Sequence, residues 1–431
     1  MLGKLLKGLG ALFVLFLILA GPSGLFWVQW MMPGNAYPAD IDTQVRTTGT
    51  APPDLTSRLE QILVERRREG GGPSLSAAVA RDGTVLWAGA VGYADLAAGT
   101  AATPDVLYRL GSSSKALTGT LLGRLLDAEA IDLDATVGAL APELPEHLHA
   151  ITVRQLASHT GGVRHYARMP TWLPADNESI TPHHYASVEE GLELFADDAL
   201  TFEPGTGFGY STFGYSLLSH LMERATGSDF ATLLETHLDG PVGTDLRLDD
   251  LTVAMPDRAA PHTTGKGRWG PAWPADPSYK WAGGGIVATP SDLVRIGLAL
   301  ADGNLLSHST RALLWTPVPV PGSDTNPQNY GLGWRVATST RTLGEDRPVQ
   351  LIHHGGNQMG GVAFWAVYPE LGLSVAVVSN TGESAVRGSV QDTAYALVRE
   401  VVTATEEAVG AATPEAMPEA MPEAMPEAPT D

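Results

Sequence analysis

Serine and lysine stand three residues apart in Gly111-Ser112-Ser113-Ser114-Lys115, a spacing that suits covalent chemistry. An apolar, β-prone lead-in, Val106-Leu107-Tyr108-Arg109-Leu110, precedes the stretch, and Leu117, Leu121, Leu122, Leu125 and Leu126 follow at helical spacing. Ser112 is therefore expected at a helix N-terminus with Lys115 one turn on. Residues i and i+3 share a helix face, which sets the amine beside the hydroxyl, and the free N–H groups of the helix start would meet a developing oxyanion. The pair reads as a nucleophile with a local base. A serine that only caps a leucine-rich helix would look the same, so the reading depends on partners elsewhere.

Two stretches supply them. Glu203-Pro204-Gly205-Thr206-Gly207-Phe208-Gly209-Tyr210-Ser211-Thr212 is a glycine-rich loop running into a helix with Leu217, Leu218, Leu221 and Met222 as its buried stripe. It presents Tyr210, whose phenolate a nearby lysine ammonium would favour, so that the ring could take and return a proton. His353-His354-Gly355-Gly356 closes a strand and opens a glycine turn, where the Gly356 N–H would be a second oxyanion donor. Neither these histidines nor His183-His184 have metal-ligand spacing, so no metal or other cofactor is expected. Gly209-Tyr210-Ser211-Thr212-Phe213 lacks the closing glycine of a nucleophile elbow. No phosphate-cradling or dinucleotide glycine pattern is present.

The elements that must position these residues form an α+β pattern. Asp54 is expected to cap a helix with Leu55, Leu59, Ile62 and Leu63 on one face, closed by Gly70-Gly71-Gly72. Ser74–Ala80 and Thr84–Ala94 read as a hairpin around Asp82-Gly83. From about Ile131 to Asn326 the signal is helical, broken by Pro and Gly, without convincing strand pairs. Gly333–Ser339, Val349–His353, Val362–Tyr368 and Leu373–Ser379 then read as strands, and Val390, Ala394, Leu397, Val398 and Val401 mark a last amphipathic helix. One antiparallel sheet built from both ends of the domain, covered by the terminal helices, with an inserted all-helical lobe, is the economical arrangement. The site would lie in the cleft between the two.

Composition limits the alternatives. The 431 residues carry a formal charge of −21 and contain no cysteine, which excludes disulfides and thiol catalysis and argues against a nucleic-acid partner. Lys4 and Lys7 precede an uncharged run reaching Asp40, with Trp27 and Trp30 near its end. This orients the bulk of the chain away from the cytoplasm. Residues 1–36 are thus expected to be a membrane anchor, placing the catalytic domain in the periplasmic part of a bacterial envelope. Cleavage after Ala36 would make it a secreted protein. A linker (37–53), the catalytic domain (54–403) and an extended acidic tail of Met-Pro-Glu-Ala repeats (404–431) complete the plan.

In order and spacing, Ser112-x-x-Lys115, Tyr210-Ser211-Thr212 and His353-His354-Gly355 resemble the three motifs of the penicillin-recognising serine hydrolases, nearest the class C β-lactamases and related esterases and peptidases. Ile151–Gly162, Ala282-Gly283-Gly284-Gly285 and Tyr330-Gly331-Leu332-Gly333-Trp334 extend the likeness over roughly residues 54–403. Arg164-His165-Tyr166 and Ser278-Tyr279-Lys280-Trp281 resemble the branch of serine β-lactamase-like proteins of animal mitochondria, which are regarded as filament-forming proteases. The resemblance implies an acyl-enzyme on Ser112, with proton transfers shared by Lys115 and Tyr210 and the acylation base left open between them. It also implies an oxyanion site at the N–H groups of Ser112 and Gly356, and substrate contacts from Thr212, His353 and Gly355. Thr212 stands where class C enzymes have asparagine and His353 where they have lysine, which favours ester, amide or peptide substrates over efficient β-lactam hydrolysis. A cell-wall carboxypeptidase and a non-catalytic scaffold, self-associating into oligomers or filaments, are the rival readings.

Overall fold

The computed structural model describes residues 30–167, 177–382 and 384–412, with residues 8, 10, 14 and 28. Most of the expected anchor and the repeats beyond residue 412 lie outside the described residues.

The two ends of the domain build one antiparallel sheet. Its main strands are β1 (Val45–Gly49), β2 (Ser74–Arg81), β3 (Thr84–Asp95), β4 (Arg335–Ser339), β5 (Val349–Gln358), β6 (Gly361–Tyr368) and β7 (Leu373–Ser379), in the order β4-β5-β6-β7-β2-β3-β1, and the short Thr100–Ala101 pairs with β3 as an eighth. Asp82 and Gly83 both have positive φ, 49° and 79°, as the tight turn between β2 and β3 requires.

Both faces of this sheet are buried. Ala77, Val79, Val375 and Val377 pack beneath helices α1 (Pro53–Gly70) and α5 (Ser384–Ala412). The alternate residues Ala78, Ala80, Ala376 and Val378 face a second core, where α4 (Pro290–Ala301) lies on the strands and α2 (Ser114–Asp127) and α3 (Thr212–Thr226) pack beyond. The α2 helix is almost wholly buried, with Leu117, Leu121, Leu122 and Leu125 inaccessible, so its first turn is set firmly between sheet and helical lobe.

Several expectations need correction. Helix α1 starts on Pro53 after Pro52, and Asp54 occupies its first turn instead of the cap position. Proline costs nothing there, and the acid suits the positive end of the helix. Val45–Gly49, expected within a linker, is the edge strand beside β3. The helical middle also contains strands: His262–Gly265 pairs with Arg268–Pro271, and Ile286–Ala288 lies between Tyr108–Arg109 and Arg247–Leu248. Strands of two to four residues are too short to show an alternation. Helix α5 runs past residue 403 to Ala412, because nothing between Thr403 and Ala412 breaks a helix until Pro414 restricts the residue before it.

Candidate active site

Ser112 sits in a tight 3-10 turn, Gly111–Ser113, immediately ahead of α2. Gly111 has φ +52° and abuts β5: a Cβ there would lie 2.7 Å from the Asn357 nitrogen. Lys115, in the first turn of α2, is fully buried. Its Nζ donates to Gly283 O at 2.5 Å and to Thr212 Oγ1 at 3.0 Å, and stands 4.9 Å from the centre of the Tyr210 ring. No carboxylate among the described residues pairs with it. Burial, reinforced by the charge of Arg335, holds its pKa well below that of an ordinary lysine. A neutral amine donating to both oxygens keeps its lone pair for a proton.

Tyr210 shares the cleft with Ser112 and with the Arg335 guanidinium, which sits 5.3 Å from its ring centre, and polar interaction with both favours its phenolate. Here the expected electrostatics are reversed. Burial raises the Tyr210 pKa, against the lowering influence of Arg335 and Ser112, so the phenol is the resting form. Desolvation outweighs the neighbouring cation, and the lysine, whose charge was to favour a phenolate, is itself disfavoured as an ion.

The histidine pair divides across β5. Successive strand residues face opposite sides. His353 therefore lies on the far face, 5.5 Å from the Phe364 ring and with Nδ1 buried and unpartnered, while His354 faces the serine side. His354 Nε2 is 3.0 Å from Tyr330 Oη and 3.0 Å from an Arg335 nitrogen, and its ring is 6.5 Å from Tyr210. The assignment of His353 to the site is thus corrected to its neighbour. Burial and the charge of Arg335 keep His354 neutral, so it does not replace a lysine's charge. The cation in the cleft is Arg335, at the start of β4.

Gly356 touches the serine turn directly: a Cβ there would lie 1.8 Å from Leu110 O and 2.9 Å from the Ser112 nitrogen. Gly355 has open space by comparison, with nothing nearer than 3.8 Å. Ser112, Tyr210, Arg335, Gly355 and Gly356 line one cleft of about 550 Å3, joined by His165 and Tyr166. Two roomier surface depressions, about 660 and 820 Å3, contain none of these residues, so chemistry and not size marks the site.

Sequence reasoning brought Ser112, Lys115, Tyr210 and Thr212 together but passed over Arg335, His354, His159 and His165. Arg335 directly follows the Tyr330–Trp334 stretch, and the two histidines lie within Ile151–Gly162 and Arg164-His165-Tyr166. Their positions were marked, though not their roles.

Comparison with known proteins gives the family and the fold. The family model described as Beta-lactamase matches residues 59–400. The mouse (Mus musculus) serine beta-lactamase-like protein LACTB, mitochondrial, is 28% identical over 401 residues, covering 72% of each chain. Esterase EstB of Burkholderia gladioli is 27% identical over 380 residues, 79% of this chain and 95% of its own. The structure of the octameric penicillin-binding protein homologue from Pyrococcus abyssi superposes with a TM-score of 0.66 at 21% identity, covering 80% of this chain and 77% of that one.

Proposed function

This chain belongs to the beta-lactamase family, and we propose that Ser112 is its nucleophile, in a serine hydrolase that forms an acyl-enzyme on ester, amide or peptide substrates. The observation that carries the reading is the placement of Ser112 and Tyr210 in one cleft with the buried Lys115 amine 4.9 Å from the tyrosine ring centre. In acylation, Ser112 Oγ bonds to the substrate carbonyl carbon as its proton passes to the Tyr210 oxygen and the tyrosine proton passes to the neutral Lys115 amine. The reverse transfer protonates the leaving group as its bond breaks, and a water molecule repeats the cycle on the acyl-enzyme. The N–H of Ser112 and a backbone N–H of the Gly356-Asn357 stretch are the proposed oxyanion donors.

Arg335 narrows the substrate. Among the described residues it has no carboxylate partner: its hydrogen bonds go to Gln328 and His354, and it lies over the Tyr210 ring. A guanidinium left without a counter-charge beside the nucleophile fits a substrate carrying a carboxylate. That favours anionic esters, and as a second reading the removal of a residue from a peptide's free carboxy-terminus.

Placement in the bacterial envelope, anchored by residues 1–36, is part of the proposal. Among the described residues no helix is long and apolar enough to cross a membrane. What supports attachment is the uncharged run of the sequence and the burial of Trp30 against Trp273, 5.4 Å between ring centres, which ties the segment to the domain. Self-association is proposed on the strength of the octameric relative, and light scattering across a concentration series tests it.

Labelling with a fluorophosphonate, beside the Ser112→Ala variant, tests the catalytic reading. Labelling lost in the variant is the expected result, and a folded wild-type protein that takes no label would move the reading to a scaffold.

A further inference from the structure

Two consecutive backbone N–H groups at the start of α3 donate to imidazoles. The N–H of Ser211 donates to His159 Nδ1 at 3.2 Å, and that of Thr212 to His165 Nδ1 at 3.1 Å. Ser211 and Thr212 are buried, so water is not available to either group. An Nδ1 that accepts must hold its lone pair there, so each neutral ring carries its proton on Nε2.

The two rings enclose Tyr210. That of His159 lies 4.3 Å from the tyrosine ring centre, and that of His165 lies 5.8 Å away, edge-on at 88°. Further bonds bind the same two segments: Gly209 N–H donates to His159 O at 2.9 Å, and Ser211 Oγ donates to Arg164 O at 2.7 Å. His159 itself holds φ +63°, a left-handed conformation uncommon outside glycine, in which histidine, asparagine and aspartate are enriched.

We propose that His159 and His165 are positioning residues, a clamp that fixes the Tyr210-Ser211-Thr212 peptide so that the tyrosine hydroxyl meets Ser112 and Thr212 Oγ1 meets Lys115. The inference rests on the reading of Ser112 and Tyr210 as the reacting pair. Simple satisfaction of two buried N–H groups would stabilise the loop. The clamp in addition sets the one torsional path by which Tyr210 reaches the serine. Burial, with the charge of Arg335, keeps His159 neutral, the only form able to accept.

The test uses the full chain with His159→Leu, His159→Asn, His165→Phe and His165→Asn. An asparagine oxygen can accept the same N–H, and asparagine tolerates the left-handed backbone. Three quantities are read: the fluorophosphonate labelling rate, kcat and KM on p-nitrophenyl acetate, and the thermal midpoint. Loss of aim at the reacting atoms costs up to roughly 10²-fold. The Leu and Phe variants should therefore lose on the order of 10- to 100-fold in kcat and labelling rate with KM unchanged, and the Asn variants should recover most of it. Should His159→Leu fail to fold, the His165 pair decides, because that ring is half-buried at the cleft. Wild-type rates in folded Leu and Phe variants, or Asn variants no faster than these, would overturn the clamp. An unlabelled wild-type protein would overturn the reading of Ser112 and the clamp with it.

Discussion

Lys115 Nζ lies 3.0 Å from Thr212 Oγ1, which couples the helix that follows the serine to the helix that follows the tyrosine. Through this contact the two halves of the proposed relay are held by a single hydrogen bond between buried side chains. The amine's other partner is a main-chain carbonyl, Gly283 O, which no side-chain substitution removes.

Replacing Thr212 with valine keeps its volume and deletes the acceptor. A buried hydrogen bond is worth about 1–1.5 kcal/mol net, so kcat should fall about tenfold while Thr212→Ser stays near wild type. Steady-state kinetics on one ester substrate, with circular dichroism to verify the fold, decides the matter.

His354 and His353 give a second, opposed pair. Removing His354 takes away the partner of Tyr330 and Arg335 beside Tyr210, so His354→Ala should cost on the order of tenfold or more in kcat/KM. His353→Ala should leave kcat/KM within about twofold, since its ring faces Phe364 on the other side of the strand. Equal effects of the two would contradict the facing assigned to β5.

That pair also marks where the sequence stops being legible. The motif His353-His354-Gly355-Gly356 locates a strand end, but two adjacent histidines are equivalent until the strand's register is fixed, and the pairing of His353 with Ala366, part of the core under α1 and α5, fixes it. The large elements could be read because their apolar periods are long: the Asp82-Gly83 hairpin, the leucine-rich α2 and the closing helix all occur close to where the pattern puts them. Arg335 could not be read as a site residue, because its place beside Tyr210 comes from strand pairing across distant segments. Nor does a sequence disclose that Lys115 is fully buried and, among the described residues, in no ion pair, and that burial reverses the expected ionisation of Tyr210.

Arg335→Gln separates binding from basicity. Hydrogen bonds to a charged group are worth about 1.5–3 kcal/mol, so kcat/KM for a carboxylate-bearing ester should drop roughly 10- to 100-fold, with a neutral ester of equal size much less affected. The variant also lacks a cation that lowers the Lys115 pKa. Its loss raises that pKa, and the acid limb of the kcat/KM profile for the neutral ester should move to higher pH. A limb that stays in place would argue against Lys115 as the proton acceptor.

Lys280 offers a test in stability. It is buried between the rings of Tyr166 and Tyr279, 5.3 and 5.0 Å from their centres, and desolvation, helped by the charge of Arg109, lowers its pKa to about 7. The folded value lies below the unfolded one, near 10.5, so between these limits the unfolded chain binds more protons and this residue's contribution to stability rises with pH. Below about pH 7 the cost of the buried charge is fully present. Lys280→Met should therefore melt above wild type near pH 6, with the gap narrowing as pH climbs toward 10. A gap that is constant with pH would show that Lys280 does not titrate in this window.

The two neighbouring glycines of β5 should respond oppositely to the same methyl group. At Gly356 a Cβ would stand 1.8 Å from Leu110 O and 2.9 Å from the Ser112 nitrogen, and all the atoms it meets are backbone that cannot rotate away. Gly356→Ala must push the serine turn off the strand, at a cost of about 1–3 kcal/mol for an overpacked site and with loss of most labelling of Ser112. At Gly355 the nearest atom is 3.8 Å away, an ordinary contact with the Phe364 ring, so Gly355→Ala should fold normally and keep its labelling. Melting curves and fluorophosphonate labelling of the two variants side by side compare a methyl group aimed at the nucleophile with one aimed at open space. A Gly356→Ala protein that labels as fast as wild type would mean that the strand does not fix the serine.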